Sequence, residues 1–169
     1  MITTASALHD IGKISIPDEI LNKPGRLTAE EFAVIKGHSM AGANMLSELP
    51  LDQKEEPLVK TAYEICRWHH ERYDGGGYPD GLKGEEIPVS AQVVALADVY
   101  DALTSERCYK DAYSHEKAIE MILAGQCGAF NPLMLECLLD ISSSLKKKMG
   151  YKSKERYEQT DLSDIASRF

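Results

Sequence analysis

The sequence has no long apolar run and no excess of positive charge. None of its 169 residues belongs to a stretch approaching the roughly 20 apolar residues of a membrane-spanning helix, and its start lacks the features of a signal peptide. The formal net charge is -8, which argues against general binding to DNA, RNA or anionic membranes. We therefore expect a cytoplasmic protein that attracts any anionic ligand by local positive charge.

Cysteine is scarce, and no two cysteines form a C-x-x-C pair. The four cysteines lie in apolar or mixed segments, so we expect buried reduced thiols rather than disulfides or zinc ligands. They are Cys66, Cys108, Cys127 and Cys137.

Most apolar residues recur with the period of helices. Thr28 and Glu31 have the spacing of a capping box that opens a helix to about Glu48, and Asn131-Pro132 is typical of a helix start. The predicted helices cover 2–11, 28–48, 55–70, 91–103, 114–124 and 131–147, with a buried strand as the alternative for the first half of 91–103. We predict an all-α fold, with one helical domain over 1–148 and a polar tail over 149–169.

Histidines lie on apolar helix faces. His38 and His69 fall within the apolar stripes of two helices, next to His70, and His9-Asp10 ends an earlier helix. A buried imidazole needs a polar partner, and for a single histidine a backbone carbonyl is the ordinary one. Because several helices direct histidines to the core, we predict that they converge on metal.

Asp98 lies in the apolar segment 91–103, where a carboxylate needs a metal ion or a cation such as Lys13 or Arg107. A set of imidazoles and carboxylates suits iron, manganese, zinc, cobalt or nickel better than calcium or magnesium. Several such groups in one pocket suggest two metals, a bridging aspartate and phosphoester hydrolysis.

The order of these motifs resembles the HD-GYP subgroup of HD-domain phosphohydrolases. It comprises residues 9–13 (HDIGK), His38, 69–71 (HHE), 77–79 (GYP) in a glycine-rich loop, and 97–110 (ADVYDALTSERCYK). The similarity extends to about Phe130.

The resemblance implies an HD-domain-like helical bundle and a bacterial second-messenger phosphodiesterase. Its substrate would be cyclic di-GMP, opened to pGpG and onward to GMP. Di-iron or manganese is the expected cofactor, with zinc, cobalt or nickel as alternatives. The implied metal ligands are His9, Asp10, His38, His69, His70 and Asp98; Asp10 and Lys13 are the implied catalytic residues; and Lys13, Tyr78, Arg107 and Lys110 are implied to bind substrate.

The family also places a histidine ligand on a helix before the HD pair, whereas eight residues precede His9 here. We therefore expect the N-terminal helices and an upstream regulatory domain to be missing. The site around His38, His69 and His70 should bind metal better than the position around His9 and Asp98.

Two other functions are compatible with these motifs. One is a catalytically impaired module that binds a nucleotide or a partner protein, and the other is an HD-type hydrolase of nucleoside phosphates. An apolar groove left by missing helices favours a homodimer, or a C-terminal helix that covers the groove. His115, beside the helix start at Ser114, is expected to be a surface residue.

Overall fold

All the regular secondary structure that the structure describes is helical. The computed structural model describes residues 1–106 and 111–148, and within these ranges no β-strand occurs. The α-helices are α1 (Ile2–Ser6), α2 (Asp18–Leu21), α3 (Ala29–Ser47), α4 (Leu51–Lys54), α5 (Pro57–Trp68), α6 (Val89–Thr104), α7 (His115–Leu123) and α8 (Pro132–Lys148), and two 3-10 helices cover Ile11–Ser15 and Gly84–Glu86. The all-α prediction is confirmed, and a strand in the first half of 91–103 is excluded.

Predicted helix starts are confirmed by their capping contacts. The Thr28 hydroxyl accepts a hydrogen bond from the Glu31 amide, and the Glu31 carboxylate accepts one from the Thr28 amide. Asn131 accepts from the amide of Leu133 at 2.9 Å, with Pro132 as the first residue of α8. These contacts satisfy amides that a helix start leaves without intrahelical partners.

The chain divides into two compact units, the first of which comprises Met1–Ala95. In this unit α3 and α5 pack together, and α1 packs on α5. The core residues are Ala5, Ala43, Leu46, Ala62, Ile65, Cys66 and Val94. Small residues in this core let the helices that carry the candidate ligands approach closely.

The segment 2–15 differs from the predicted helix. Helix α1 ends at Ser6, and Ile11–Ser15 is a 3-10 helix that packs on α3. A Cβ atom on Gly12 would lie 1.9 Å from the carbonyl oxygen of His38 and 2.5 Å from the amide nitrogen of Gly42. Two backbones therefore meet without side chains between them, and this contact sets the distance between Asp10 and His38.

The second unit begins at Leu96, and its core joins residues of α6, α7 and α8. The core residues are Leu96, Val99, Tyr100, Leu103, Ala118, Ile119, Met121, Ile122, Cys127 and Leu138.

The prediction that His115 lies on the surface is wrong, because its side chain is only 4% exposed. Its Nδ1 lies 2.8 Å from the Tyr100 hydroxyl and its Nε2 lies 2.8 Å from the Ser142 hydroxyl. A hydroxyl can donate or accept, so both ring nitrogens are satisfied. His115 thus links three helices of this unit.

Cys66 and Cys127 are buried as predicted, but Cys137 is exposed, and Cys108 lies outside the described residues. The tail 149–169 lies outside them as well. Across the described ranges, no helix combines the length and the hydropathy that crossing a membrane requires.

We expect Gly12→Ala to lower the free energy of unfolding by about 3 kcal/mol or more, because the added Cβ collides with backbone atoms that cannot move independently. Gly37→Ala is the matched control. Gly37 lies in α3, and nothing lies within 4 Å of the position that an added methyl group would take, so alanine should stabilise the helix by roughly 0.5–1 kcal/mol. Urea unfolding followed by circular dichroism measures both, and equal effects would contradict the proposed close contact.

We expect His115→Ala to lower the free energy of unfolding by about 2–4 kcal/mol, because it removes two hydrogen bonds of a buried side chain and leaves a cavity. Glu116→Ala is the control, since it removes only an exposed ion pair with Lys146 and should have a much smaller effect. The same unfolding measurement tests both variants. A His115→Ala variant as stable as the parent chain would show that the buried link contributes nothing.

Candidate metal centre

Three histidines converge in the first unit. His38 lies on α3, His69 follows the last residue of α5, and His70 is next in the chain. The side chains of His38 and His69 are 1% and 2% exposed. One ring nitrogen from each of the three lies within 4.8 Å of the others, which is the spacing of a metal-ligand set.

Local hydrogen bonds orient the two most buried rings. Nδ1 of His38 lies 2.7 Å from the carbonyl oxygen of Ile35, and Nδ1 of His69 lies 2.8 Å from that of Ile65. A carbonyl oxygen only accepts, so each Nδ1 carries the proton. Each Nε2 of a neutral ring then presents a lone pair, and the two Nε2 atoms are 3.3 Å apart. The two lone pairs repel each other unless a proton or a metal cation lies between them.

Burial disfavours the proton. Burial first, and the neighbouring His38 second, lower the pKa of His69 to about 4. Burial likewise lowers the pKa of His38, and that of His70 well below its usual value. Three neutral imidazoles with converging lone pairs fit a divalent transition metal, which would remove the repulsion without a buried proton.

Asp10 lies beside this cluster and faces two histidines. Its Oδ1 is 3.4 Å from Nε2 of His38, and its Oδ2 is 3.3 Å from Nε2 of His9. Nδ1 of His9 lies 2.8 Å from the carbonyl oxygen of Ser6, so His9 also directs Nε2 to the carboxylate. One carboxylate with an oxygen toward each histidine has the arrangement of a metal bridge.

Lys13 is the cation next to that carboxylate. Its Nζ donates to Oδ2 of Asp10 at 2.6 Å. Burial opposes ionisation of Asp10, but the contacts with His9 and Lys13 outweigh it and hold the pKa of Asp10 well below its usual range. Asp10 is therefore an anion at neutral pH, as a metal ligand must be.

The glycine-rich loop packs on the same cluster. The Tyr78 ring stacks on the His70 ring with centroids 4.8 Å apart, and the Tyr78 amide donates to the His70 carbonyl at 3.2 Å. Nζ of Lys36 lies 5.1 Å from the centre of the Tyr78 ring. Tyr78 thus covers one of the three clustered histidines, and Lys36 adds a positive charge beside it.

The remaining predicted residues divide into two groups. Asp98 is half-buried on α6 in the second unit, and its ligand role stays a prediction. Arg107 and Lys110 lie outside the described residues. Sequence reasoning assigned no role to Lys36 or to Glu71, a buried carboxylate directly after His69 and His70. Glu71 is the last residue of the HHE motif and has polar neighbours in the chain, so the sequence did not indicate that its carboxylate is buried.

Comparison with known proteins identifies the family of this chain. A family model described as the HD domain matches residues 1–130. The chain belongs to the HD domain family, and the resemblance predicted from its motifs is confirmed. A divalent metal is the cofactor that this family and the histidine cluster imply.

Among similar proteins is a "Probable cyclic di-GMP phosphodiesterase" of Vibrio cholerae, 47% identical over 141 residues, which are 80% of this chain and 31% of the relative. A "3'3'-cGAMP-specific phosphodiesterase 2" of the same organism is 43% identical over 83% of this chain and 26% of its own length. A "Cyclic di-GMP phosphodiesterase" of Thermotoga maritima is 43% identical over 85% of this chain and 38% of its length. The chain thus spans well under half the length of these relatives.

We expect the full chain to bind Co²⁺ or Mn²⁺ and to gain stability, by about 2.7 kcal/mol at a metal concentration 100 times Kd. His69→Ala should weaken this binding on the order of 100-fold or more, because a buried ligand is lost. Isothermal titration and the visible spectrum of bound Co²⁺ measure the effect. Cys137→Ala is the control, since loss of an exposed thiol should change nothing.

His9→Ala separates the two metal positions. If His38, His69 and His70 form the stronger site, this variant keeps most of the affinity for the first metal ion. A loss as large as that of His69→Ala would show that the two positions bind as one.

Proposed function

We propose that this chain is the metal-binding core of a cyclic dinucleotide phosphodiesterase of the HD-GYP type, a phosphoric diester hydrolase of bacterial signalling. The observation that carries the proposal is the convergence of three neutral imidazoles with the Asp10 carboxylate. Relatives named for cyclic di-GMP and for 3'3'-cGAMP support a cyclic dinucleotide as the substrate class. We take cyclic di-GMP as the first candidate, with pGpG and then GMP as products.

The residues of the first unit that would hold metal are His38, His69, His70 and Asp10 at one position, and His9 and Asp10 at the other; the ligand role of Asp98 at the second position rests on the family resemblance alone. A divalent metal there supplies Lewis acidity that polarises a phosphodiester and lowers the pKa of water. Iron or manganese is our first choice, with zinc, cobalt or nickel as alternatives. The carbonyl contacts at each Nδ1 fix the rings, so little reorganisation is needed when metal binds.

Local cations give the acidic chain a means of attracting a dinucleotide with two phosphates. The Lys13 ammonium forms an ion pair with the Asp10 carboxylate, and the Lys36 ammonium lies beside the Tyr78 ring. Their charges would offset locally the net charge of -8 of the chain. We propose that Lys13 contacts a substrate phosphate, together with Arg107 and Lys110.

A binding module without turnover is the second candidate. Among the described residues, only His38, His69 and His70 form a group of three or more ligands within coordinating distance. A protein that held one metal ion firmly would still retain a cyclic dinucleotide while lacking the second ion needed for hydrolysis.

A homodimer and a cytoplasmic location also stay predictions.

The deciding experiment is turnover by the full chain with Mn²⁺, or with Fe²⁺ in the absence of air. Cyclic di-GMP and 3'3'-cGAMP are supplied separately, and the products are resolved by chromatography. We expect linear dinucleotide from at least one of them, and Asp10→Asn should slow its formation on the order of 100- to 1000-fold, because it weakens the bridging ligand. Asp18→Asn, an exposed carboxylate on α2, is the control that should keep full activity.

Binding of a cyclic dinucleotide without product would favour the second candidate. Absence of both binding and turnover would overturn the proposal. Faster hydrolysis of nucleoside phosphates than of either cyclic dinucleotide would indicate the remaining alternative, an HD-type hydrolase of nucleoside phosphates.

A further inference from the structure

Glu71 is a buried carboxylate that directly follows His69 and His70. Its side chain is 6% exposed, and a buried carboxylate is costly unless hydrogen bonds compensate for the lost water. Its Oε1 accepts from the Asp80 amide at 2.7 Å and from the Gly81 amide at 3.0 Å. The side chain of one residue thus satisfies two consecutive backbone amides.

Those amides belong to the segment 77–81, which also carries Tyr78. Gly77 lies against the backbone of Glu71, where an added Cβ would be 2.4 Å from its Cα atom. The loop therefore returns to the residues just after α5. Because Tyr78 stacks on His70, any movement of the segment also moves a ring that covers a metal ligand.

A second link between the loop and α5 lies at the surface. The Asp80 carboxylate accepts from Arg67 at 2.7 Å and from the indole nitrogen of Trp68 at 2.7 Å, both in exposed positions. The Arg67–Asp80 pair is bidentate but screened by water, whereas loss of Glu71 would leave two part-buried amides without their acceptor. The buried contacts of Glu71 should therefore control the loop position.

We propose that Glu71 is a positioning residue, which holds the segment 77–81 through the amides of Asp80 and Gly81 and so fixes Tyr78 at the edge of the substrate site. The effect on substrate rests on the proposed function. The effect on the loop does not, because it concerns backbone hydrogen bonds alone.

Three variants of the full chain test the proposal. Glu71→Met keeps the length of the side chain but has no oxygen acceptor, and Glu71→Gln restores one carbonyl oxygen. Glu71→Asp, which withdraws the carboxylate by one methylene, repeats the test if Glu71→Met does not fold. Glu85→Ala is the matched control, because Glu85 accepts from the Tyr73 hydroxyl in the same region without binding the amides of Asp80 and Gly81.

Amide hydrogen exchange measures the loop, Mn²⁺ titration measures the metal site, and steady-state kinetics measure substrate use. In Glu71→Met we expect the amides of Asp80 and Gly81 to exchange at least about 10-fold faster, while α5 keeps its protection. Affinity for Mn²⁺ should stay within about threefold, and KM for cyclic di-GMP should rise about 10-fold with little change in kcat. Glu71→Gln should recover most of both effects, and Glu85→Ala should show neither.

Unchanged exchange at Asp80 and Gly81 in Glu71→Met would overturn the proposal. So would faster exchange with unchanged KM, or a Glu71→Gln variant as impaired as Glu71→Met. If the parent chain turns over no cyclic dinucleotide, the proposed function fails. Hydrogen exchange and the Kd for cyclic di-GMP then decide the role of Glu71, with the same directions expected.

Discussion

The first unit is organised around lone pairs that face one another. His38 and His69 place unprotonated Nε2 atoms 3.3 Å apart in a buried position, with Asp10 oxygen next to them. Without a cation these atoms repel, and burial prevents a proton from relieving the repulsion at neutral pH. The packing of α1, α3 and α5 must therefore supply enough stability to hold an arrangement that is unfavourable without metal, a cost that functional sites commonly carry.

The rings of His9, His38 and His69 are each oriented by a hydrogen bond to the nearby backbone. Nδ1 of His9, His38 and His69 lies close to a carbonyl oxygen three or four residues earlier in the chain. The direction of each Nε2 thus depends on local backbone, and tertiary packing has only to bring the turns together. The contact between Gly12 and Gly42 does this for Asp10 and α3, since any side chain there would separate them.

The difference between local contacts and tertiary packing explains which features the sequence could predict. Capping at Thr28 and Asn131 and the periodicity of the helices are local, and the predicted helix starts are confirmed there. His115 was misjudged because its burial depends on Tyr100 and Ser142, which are 15 and 27 residues away in the chain. The 3-10 helix after Asp10 likewise follows from contact with α3, which no nearby residue indicates. The convergence of His38, His69 and His70 was predicted correctly because their motif spacing resembles that of a known family; their role as metal ligands stays a prediction.

The two oxygens of Asp10 are not equivalent, and this bears on how metal would be distributed. Oδ1 faces His38, whereas Oδ2 faces His9 and already accepts a hydrogen bond from the Lys13 ammonium. A metal ion at the His9 side must share Oδ2 with that ammonium or displace it, and two cations on one oxygen repel each other. An ion among the three histidines meets no such competitor at Oδ1. The inequality that we predict between the two positions thus has a candidate cause within residues 9–70. If Lys13 contacts a substrate phosphate as proposed, the phosphate would draw the ammonium away from Asp10 and so favour a second ion.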